Sequence, residues 1–429
     1  MSIESFFKLK EKGTSVKTEA IAGFTTFLTM IYIVPVNAGI MSETGMPYEA
    51  LVTATALMTI IACIFNGLWS NTPIAMSIGM GLNAFFTFTM VKGMGLPWQT
   101  ALGIVFISGA LFLVLSLTKF RIWVIESVPA DLRRAISAGI GTFIAFIGLK
   151  QMGIIASSGA TLVTLGNLGD KNVLLGLFGI ILVVAFSAWR LKGAFILAIL
   201  LTSVIGWIFG IAEAPKGVVS LPASIAPIAF ELDIMSALQI ALIPVIITFL
   251  ITHMFDSLGT FSGFGYRAGL FKENSKELQK TLEADAASST LSAFLGMSTT
   301  TSFVESASGV EEGGRTGLTA VVAGLCFSVT LFLLPLFLAI PSNAIYPVLV
   351  MVGILMFSEV ANINFRDFAI AVATFLTVLL MPLTYSIANG LAFGFISFVL
   401  IKLVKGEFKD LNFGLIFLAL VSSIIFIFH

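Results

Sequence analysis

Residues 297–318 read MSTTTSFVESASGVEEGGRTGL and stand between two long apolar segments, which places them at membrane depth. The stretch is rich in hydroxyl side chains and glycine and contains an acid, Glu305. Irregular backbone and a carboxylate occur at that depth only where protein or a water-filled cavity surrounds them. We therefore expect residues 298–302 to be extended and residues 303–310 to form a half-helix that begins at a binding site. Broken helices of this kind form the midplane sites of secondary transporters.

The composition indicates a polytopic membrane protein. Hydrophobic residues make up 58% of the 429 residues and charged residues only 11%, a balance that soluble domains do not have. The apolar segments are long and continuous, which favours transmembrane helices over a barrel of short alternating strands. The net charge of zero gives no indication of a nucleic-acid partner.

The apolar segments between residues 18 and 404 divide into fourteen predicted spans, all α-helical, of which the third and the tenth are short and broken. With a cytoplasmic N-terminus, most lysines and arginines fall on the cytoplasmic side, as the positive-inside rule requires. Residues 1–17 contain several lysines and no cleavage site of small residues, so we expect a cytoplasmic tail. The sequence thus predicts a multi-pass protein in the lipid bilayer of the cell membrane.

An internal repeat relates the two halves of the chain. Residues 26–30 (TFLTM) in the first span resemble residues 248–252 (TFLIT) in the eighth, and the two broken spans occupy corresponding places. Seven spans per half is an odd number, so the halves are expected to be inverted relative to each other. Inverted repeats with discontinuous helices are a transporter architecture.

Two acids inside apolar spans are the leading candidates for a binding site. Asp256 lies near the end of the eighth span, and Glu305 lies at the start of the half-helix in the tenth. An ionisable group in a membrane is costly and is by default a functional hypothesis. The structural alternatives are that Asp256 marks the cytoplasmic end of a helix and that Glu305 satisfies backbone donors at a helix start.

Three further polar side chains lie in or beside the spans. Asn83, in residues 79–86 (GMGLNAFF), offers both a donor and an acceptor, and a bond between helices is an equal alternative. His253 lies one turn before Asp256, where it relays protons or simply packs. Asp285 opens the predicted ninth span, where it is expected to cap the helix.

These polar groups suit a planar ligand that carries N–H donors and ring-nitrogen acceptors. A carboxylate can accept two N–H bonds from one edge of such a ligand, and desolvation makes the discrimination strong. The same carboxylate can titrate and so couple uptake to protons. This chemistry by itself does not distinguish a nucleobase from another polar solute.

Other classes of function fit less well. The chain has two histidines, of which one is the C-terminal residue, so imidazoles cannot assemble a metal site. No nucleophile–base pair is visible, and we expect no catalytic residues, no cofactor and no enzymatic activity. A scaffold or receptor would not need paired broken helices.

Several motifs resemble the nucleobase–cation symporter-2 family, and most closely its guanine/hypoxanthine/adenine permease subgroup. The resemblance covers essentially the whole chain. It rests on residues 23–33 (GFTTFLTMIYI), 79–86 (GMGLNAFF), 255–260 (FDSLGT), 305–309 (ESASG) and 313–319 (GGRTGLT).

The resemblance implies a fold of fourteen spans arranged as a 7+7 inverted repeat. A core domain would comprise residues 18–118 (spans 1–4) and 236–336 (spans 8–11). A gate domain would comprise residues 131–211 (spans 5–7) and 341–404 (spans 12–14). A hydrophobic C-terminal segment, residues 411–429, resembles one found in this subgroup, and whether it crosses the membrane is left open.

The resemblance also implies a function, which is uptake of a purine nucleobase by symport with a proton or sodium ion, through alternating access. Members are often homodimers. The substrate would be held between the third and tenth half-helices by Asp256, Glu305, Asn83, Phe85 and the backbone at Val304. Candidates for coupling or for support of the site are His253, Thr26, Ser302 and Ser306.

One departure from the pattern concerns His253, because many guanine/hypoxanthine members carry an acid at that place. This leaves the purine and the coupling ion open. The alternative function is an anion carrier or channel on the same fold, and the two acids argue against it.

Overall fold

The computed structural model describes residues 2–118, 127–260 and 276–425. The last four residues of the predicted C-terminal segment lie outside these ranges. The elements in chain order are α1 (Ile3–Phe6), α2 (Val16–Met30), α3 (Ile33–Ser42), α4 (Tyr48–Ser70), β1 (Met76–Ile78), α5 (Met80–Ala84), a π-helix (Phe85–Gly93), α6 (Trp98–Ser116), α7 (Ala130–Gln151), β2 (Ile155–Ser158), β3 (Leu162–Leu165), α8 (Lys171–Ala188), α9 (Ala194–Ile208), α10 (Ile234–Ala237), α11 (Ile243–Thr260), α12 (Lys276–Phe294), β4 (Thr300–Ser302), α13 (Ser306–Glu311), α14 (Gly317–Phe327), α15 (Leu334–Leu338), α16 (Ser342–Phe357), α17 (Phe368–Leu383), α18 (Ile387–Val404) and α19 (Phe413–Ile425).

The described residues contain eight helical segments that are long and apolar enough to cross a membrane. Four shorter apolar helices accompany them, including Gly317–Phe332 and Phe413–Ser423. The predicted multi-pass, predominantly helical architecture is therefore confirmed. The chain crosses in helices because a lipid environment offers the backbone no other partner for its N–H and C=O groups.

The two broken spans meet in a short antiparallel pair of strands. β1 pairs with β4 so that Met76 lies opposite Ser302 and Ile78 lies opposite Thr300. Each strand leads into a half-helix, the first formed by α5 with the π-helix and the second by α13. The predicted extended piece and half-helix of the tenth span are thus confirmed, although the helix begins at Ser306 rather than 303.

Close backbone approach holds the second half-helix and α14, the helix after it, against neighbouring spans. A Cβ atom on Gly317 would lie 1.8 Å from the carbonyl oxygen of Gly67, so α14 and α4 touch through their main chains. A Cβ on Gly309 would lie 2.2 Å from Oγ1 of Thr26, which brings α13 against α2. No residue larger than glycine fits at these crossings without moving a helix.

The ninth span differs from its prediction. α12 begins at Lys276, so Asp285 lies well inside the helix, fully buried, and its predicted role as a cap is wrong. The acid sits there because α12 packs against α4 and α6 inside the protein, where hydroxyl groups and a histidine surround it. The sequence also gave no sign of the β2–β3 hairpin between α7 and α8.

Candidate binding site at the crossing half-helices

Main-chain hydrogen bonds extend the crossing strands toward both half-helices. The amide of Gly79 donates to the carbonyl of Thr299 at 2.9 Å, and the amide of Phe303 donates to the carbonyl of Ala75 at 3.0 Å. Gly79 is the residue that precedes α5, and Phe303 is three residues before α13. The starts of the two half-helices therefore flank the short antiparallel pair formed by β1 and β4.

Glu305 immediately precedes α13, and its side chain makes no hydrogen bond that caps this helix. Instead its Oε1 accepts a hydrogen bond from the hydroxyl of Tyr32 at 2.5 Å. The carbonyl of Glu305 accepts a longer bond, 3.5 Å, from the side chain of Thr29. The residue as a whole is half-buried, and it lines a cavity.

Asp256 lies on α11 beside the start of the other half-helix. Its Oδ2 would be 3.6 Å from a Cβ placed on Gly79, and its carboxylate bonds the side chain of Thr301 in β4. The predicted alternative, an acid at the solvated end of a helix, does not describe these surroundings. Each binding acid of the prediction therefore lies at the start of one half-helix.

A buried network lies directly behind Asp256. The hydroxyl of Ser257 donates to Oδ2 of Asp285, and Nε2 of His253 lies 3.7 Å from the same oxygen. Ser257 also lies 3.5 Å from the hydroxyl of Thr301, the partner of Asp256. Asp285 is a functional candidate that the sequence analysis assigned to a cap. Its spacing of one turn from Ser289 on α12 is the sequence signal of a polar face.

Asn83 and Phe85, which were predicted to contact the substrate, are buried against other residues of the protein. Asn83 is fully buried and donates to Oδ1 of Asn37 at 2.8 Å, and Asn37 in turn donates to Thr55 at 2.8 Å. Phe85 is also fully buried and stacks on Phe249 with ring centres 5.5 Å apart. The bond between helices that was the alternative for Asn83 is therefore present.

The remaining predicted residues border the half-helices. Val304 is 49% exposed beside Glu305, whereas Ser306 is buried and its hydroxyl accepts a hydrogen bond from the amide of Ala75 at 3.0 Å. Thr26 donates to the carbonyl of Ala22 at 3.0 Å and lies against α13. Ser302 lies in β4 opposite Met76.

A polar cavity of about 480 Å³ opens next to Glu305. Such a volume falls in the range of small-molecule sites. One wall is formed by Thr29, Glu305, Ser308 and Glu311, and the other by the link between α8 and α9 with the first residues of α9. Asp256 and Asn83 are not on the wall of this cavity.

A second cavity of about 150 Å³ lies beside the first half-helix. It is lined by Phe85 and Thr89 from the first half-helix, by Pro244 from α11, and by Tyr385 and Asn389 from the α17–α18 region. Half-helices that cross beside buried acids are the arrangement expected of a membrane transporter or permease.

Comparison with known proteins agrees with that class. The model of the Permease family (Xan_ur_permease) matches residues 17–393. The adenine permease AdeP of Escherichia coli is 41% identical over 99% of this chain and 96% of its own length. The guanine/hypoxanthine permease PbuG of Bacillus subtilis is 42% identical over 99% of this chain and all of its own. This chain therefore belongs to the nucleobase–cation symporter-2 family.

A solved structure supports the fold independently. The transmembrane domain of the cyanobacterial bicarbonate transporter BicA superposes with a TM-score of 0.65 at 16% identity, covering 86% of this chain and 95% of that one. At that identity the likeness concerns the fold alone, and it is the 7+7 arrangement of core and gate. The protein is a multi-pass membrane permease and not an enzyme.

Proposed function

We propose that the protein is a secondary active transporter that imports purine nucleobases together with a cation. The observation that carries the proposal is the position of Asp256 and Glu305, one at the start of each crossing half-helix. Two carboxylates so placed can accept N–H groups from the edges of a planar heterocycle. The names of the relatives, which are adenine and guanine/hypoxanthine permeases, favour the purine class.

Of the two proposed binding acids, Glu305 is the one that lines the 480 Å³ cavity beside the α8–α9 link. The main chain at Val304 stands beside it and can supply a further hydrogen bond. Asn83 and Phe85 belong to the first half-helix and are fully buried, and a shift of that half-helix would bring them to the ligand. Asp256 completes the site from the side of α11.

Coupling to a proton follows from the chemistry of these carboxylates. A carboxylate in a membrane binds a proton or a ligand edge, and the two events influence each other. Asp285 and His253, joined to Asp256 through Ser257 and Thr301, form a second buried polar pair behind the site. Sodium coupling is the alternative, and a protonophore distinguishes the two because it abolishes only proton-driven uptake.

Alternating access requires two bodies that move past each other. Residues 18–118 with 236–336 would form the core, and residues 131–211 with 341–404 would form the gate. Two contacts cross between them at the large cavity, which are the ring contact of Tyr32 with Phe195 and an ion pair between Lys192 and Glu312. Movement of α9 and the link before it would open or close the route to Glu305.

The test is uptake of radiolabelled hypoxanthine, guanine, adenine and uracil into cells that lack their own carriers. We expect saturable uptake of at least one purine, inhibition by the other purines and little inhibition by uracil. Bicarbonate and sulfate uptake should stay at the level of cells without the protein. Transport of an anion without any purine uptake would contradict the proposal.

A further inference from the structure

The crossing strands have main-chain groups that face away from the pair. The bonds of Gly79 to Thr299 and of Phe303 to Ala75 show that residues 75, 77 and 79 occupy the hydrogen-bonded positions opposite residues 303, 301 and 299. In an antiparallel pair the residues between them point their N–H and C=O groups outward. Met76 and Thr300 are such residues, one on each strand. Inside a membrane protein those groups need other partners.

Cys63 supplies these partners on the outer edge of β1. This fully buried thiol donates to the carbonyl of Met76 at 3.2 Å and accepts from the amide of Met76 at 3.4 Å. It therefore makes both bonds that a neighbouring strand would make. Thiols are weak donors and acceptors, but serine is the only equally small side chain that could do the same.

Two more residues on the same face of α4 continue the contact along β1. Thr59, one turn before Cys63, bonds the hydroxyl of Ser77 at 2.6 Å. Asn66, one turn after Cys63, donates to the carbonyl of Ile74 at 2.7 Å. Residues spaced by three and four lie on one face of a helix, so α4 presents a polar stripe to the strand.

Ser289 plays the corresponding part on the outer edge of β4. It lies on α12, fully buried, and its hydroxyl donates to the carbonyl of Thr300 at 2.9 Å. The same hydroxyl lies 3.0 Å from Oγ1 of Thr300 and 3.2 Å from Nε2 of His253. α12, in the ninth span, thus holds β4 in the way that α4, in the second span, holds β1. An inverted repeat predicts this correspondence between the ninth and the second span.

We propose that Cys63 and Ser289 are positioning residues, one in each half, that set the placement of the crossing strands and thereby of the two binding acids. The inference rests on the proposed function, because it assigns these acids to the substrate. Asp256 bonds Thr301 of β4 and abuts Gly79 beyond β1, and Glu305 follows β4 by three residues. A strand that slides or frays moves Glu305 and moves Thr301, the partner of Asp256, although neither Cys63 nor Ser289 touches the ligand.

The test compares variants that remove or keep the hydrogen bonds of these two side chains. Cys63→Ala leaves the outward groups of Met76 without a partner, whereas Cys63→Ser keeps a donor and an acceptor of similar size. Cys326→Ala is the matched control, because Cys326 is partly exposed on α14. Ser289→Ala and Ser289→Cys form the equivalent pair in the second half, and they decide the question if Cys63→Ala fails to insert.

The first measurement is hydrogen–deuterium exchange of the full-length protein, in peptides that cover residues 72–80 and 299–304. We expect Cys63→Ala to accelerate exchange in the first peptide by about tenfold and Cys63→Ser to restore it. Cys326→Ala should exchange like the unmodified protein. Unchanged exchange in Cys63→Ala, or equal acceleration in Cys63→Ser, would overturn the proposal. This readout does not depend on which substrate is carried.

The second measurement is the concentration dependence of purine uptake. We expect the KM of Cys63→Ala and of Ser289→Ala to rise by about three- to tenfold, with the maximal rate per inserted molecule within about twofold. Cys63→Ser should keep the original KM. A fall in maximal rate with an unchanged KM would contradict positioning of the binding acids. If the unmodified protein carries no purine, the proposed function is wrong. The hydrogen–deuterium exchange data would still test whether Cys63 and Ser289 position the crossing strands.

Discussion

The hydroxyl of Tyr32 donates a 2.5 Å hydrogen bond to the carboxylate of Glu305, although the two residues are 273 positions apart in the chain. Tyr32 lies between α2 and α3, where the first span passes the start of the second half-helix. Its ring also meets Phe195 of α9 edge to face, with centres 4.8 Å apart. One side chain thus contacts both the candidate binding acid and the helix that borders its cavity.

Tyr32→Phe should weaken substrate binding without unfolding the protein. The ring and its contact with Phe195 remain, but the carboxylate of Glu305 loses a donor that fixes its direction. Bonds to a charged group contribute about 1.5–3 kcal/mol, so we expect the KM for purine uptake to rise by about tenfold or more. Tyr48→Phe is the control, because that hydroxyl donates to the carbonyl of Phe337 instead. An unchanged KM would show that Tyr32 does not orient the acid.

Glu305→Gln and Asp256→Asn should each reduce purine uptake by about a hundredfold or more while the protein remains inserted. Both amides keep the size of the side chain but remove the negative charge and half of the acceptor capacity. Uptake and the amount in the membrane are measured together. Glu49→Gln, an exposed acid in the first turn of α4, serves as control. Normal uptake by either acid variant would move the site elsewhere.

Glu19→Gln should destabilise the protein rather than alter its specificity. Glu19 is fully buried in α2 and accepts bonds from the main chain of Arg315 at 2.9 Å and from the hydroxyl of Thr319 at 2.5 Å. It also accepts two longer bonds from the amides of Thr316 and Thr319, so it satisfies the start of α14.

A glutamine at position 19 would point the N–H groups of its side-chain amide toward the N–H and O–H donors that Glu19 now accepts. Such a conflict costs about 1–3 kcal/mol of the free energy of unfolding. We expect a melting temperature several degrees lower for the purified protein and an unchanged order of purine preference. Glu4→Gln, on the exposed helix α1, should melt like the unmodified protein. A melting temperature of Glu19→Gln equal to that of the unmodified protein would contradict a structural role for Glu19.

The ion pair between Lys192 and Glu312 joins the α8–α9 link to the end of the second half-helix. Lys192→Glu and Glu312→Lys should each change the initial rate of uptake, and the double variant should restore it to within about twofold. Exposed pairs contribute roughly 0–1 kcal/mol, so the single changes should be at most about fivefold and should shrink at high salt. A double variant that is as impaired as the singles would exclude a direct pairing in transport.

Several features could be predicted from the sequence. The hydroxyl-rich stretch around Glu305 indicated an extended piece and a half-helix, and both are present within a few residues of their predicted bounds. In a bilayer the backbone must satisfy its own hydrogen bonds. A polar interruption of an apolar span therefore indicates a broken helix that is surrounded by protein or lines a cavity. The short, broken third span was predicted as well, but its π-helix was not, because that winding depends on what packs around it.

The roles of Tyr32, Asp285, Cys63 and Glu19 could not be predicted in the same way. Asp285 was interpreted as a cap, and nothing near Asp285 or Cys63 in the sequence indicates its partner. Apolar periodicity identifies which segments cross the membrane but not which faces of different helices meet. The sequence by itself determined the class of protein, the broken spans and the two acids, since burying charge and irregular backbone in lipid needs a specific purpose. Only the tertiary structure decided how those acids are held, because hydrogen-bond partners hundreds of residues apart are chosen by packing.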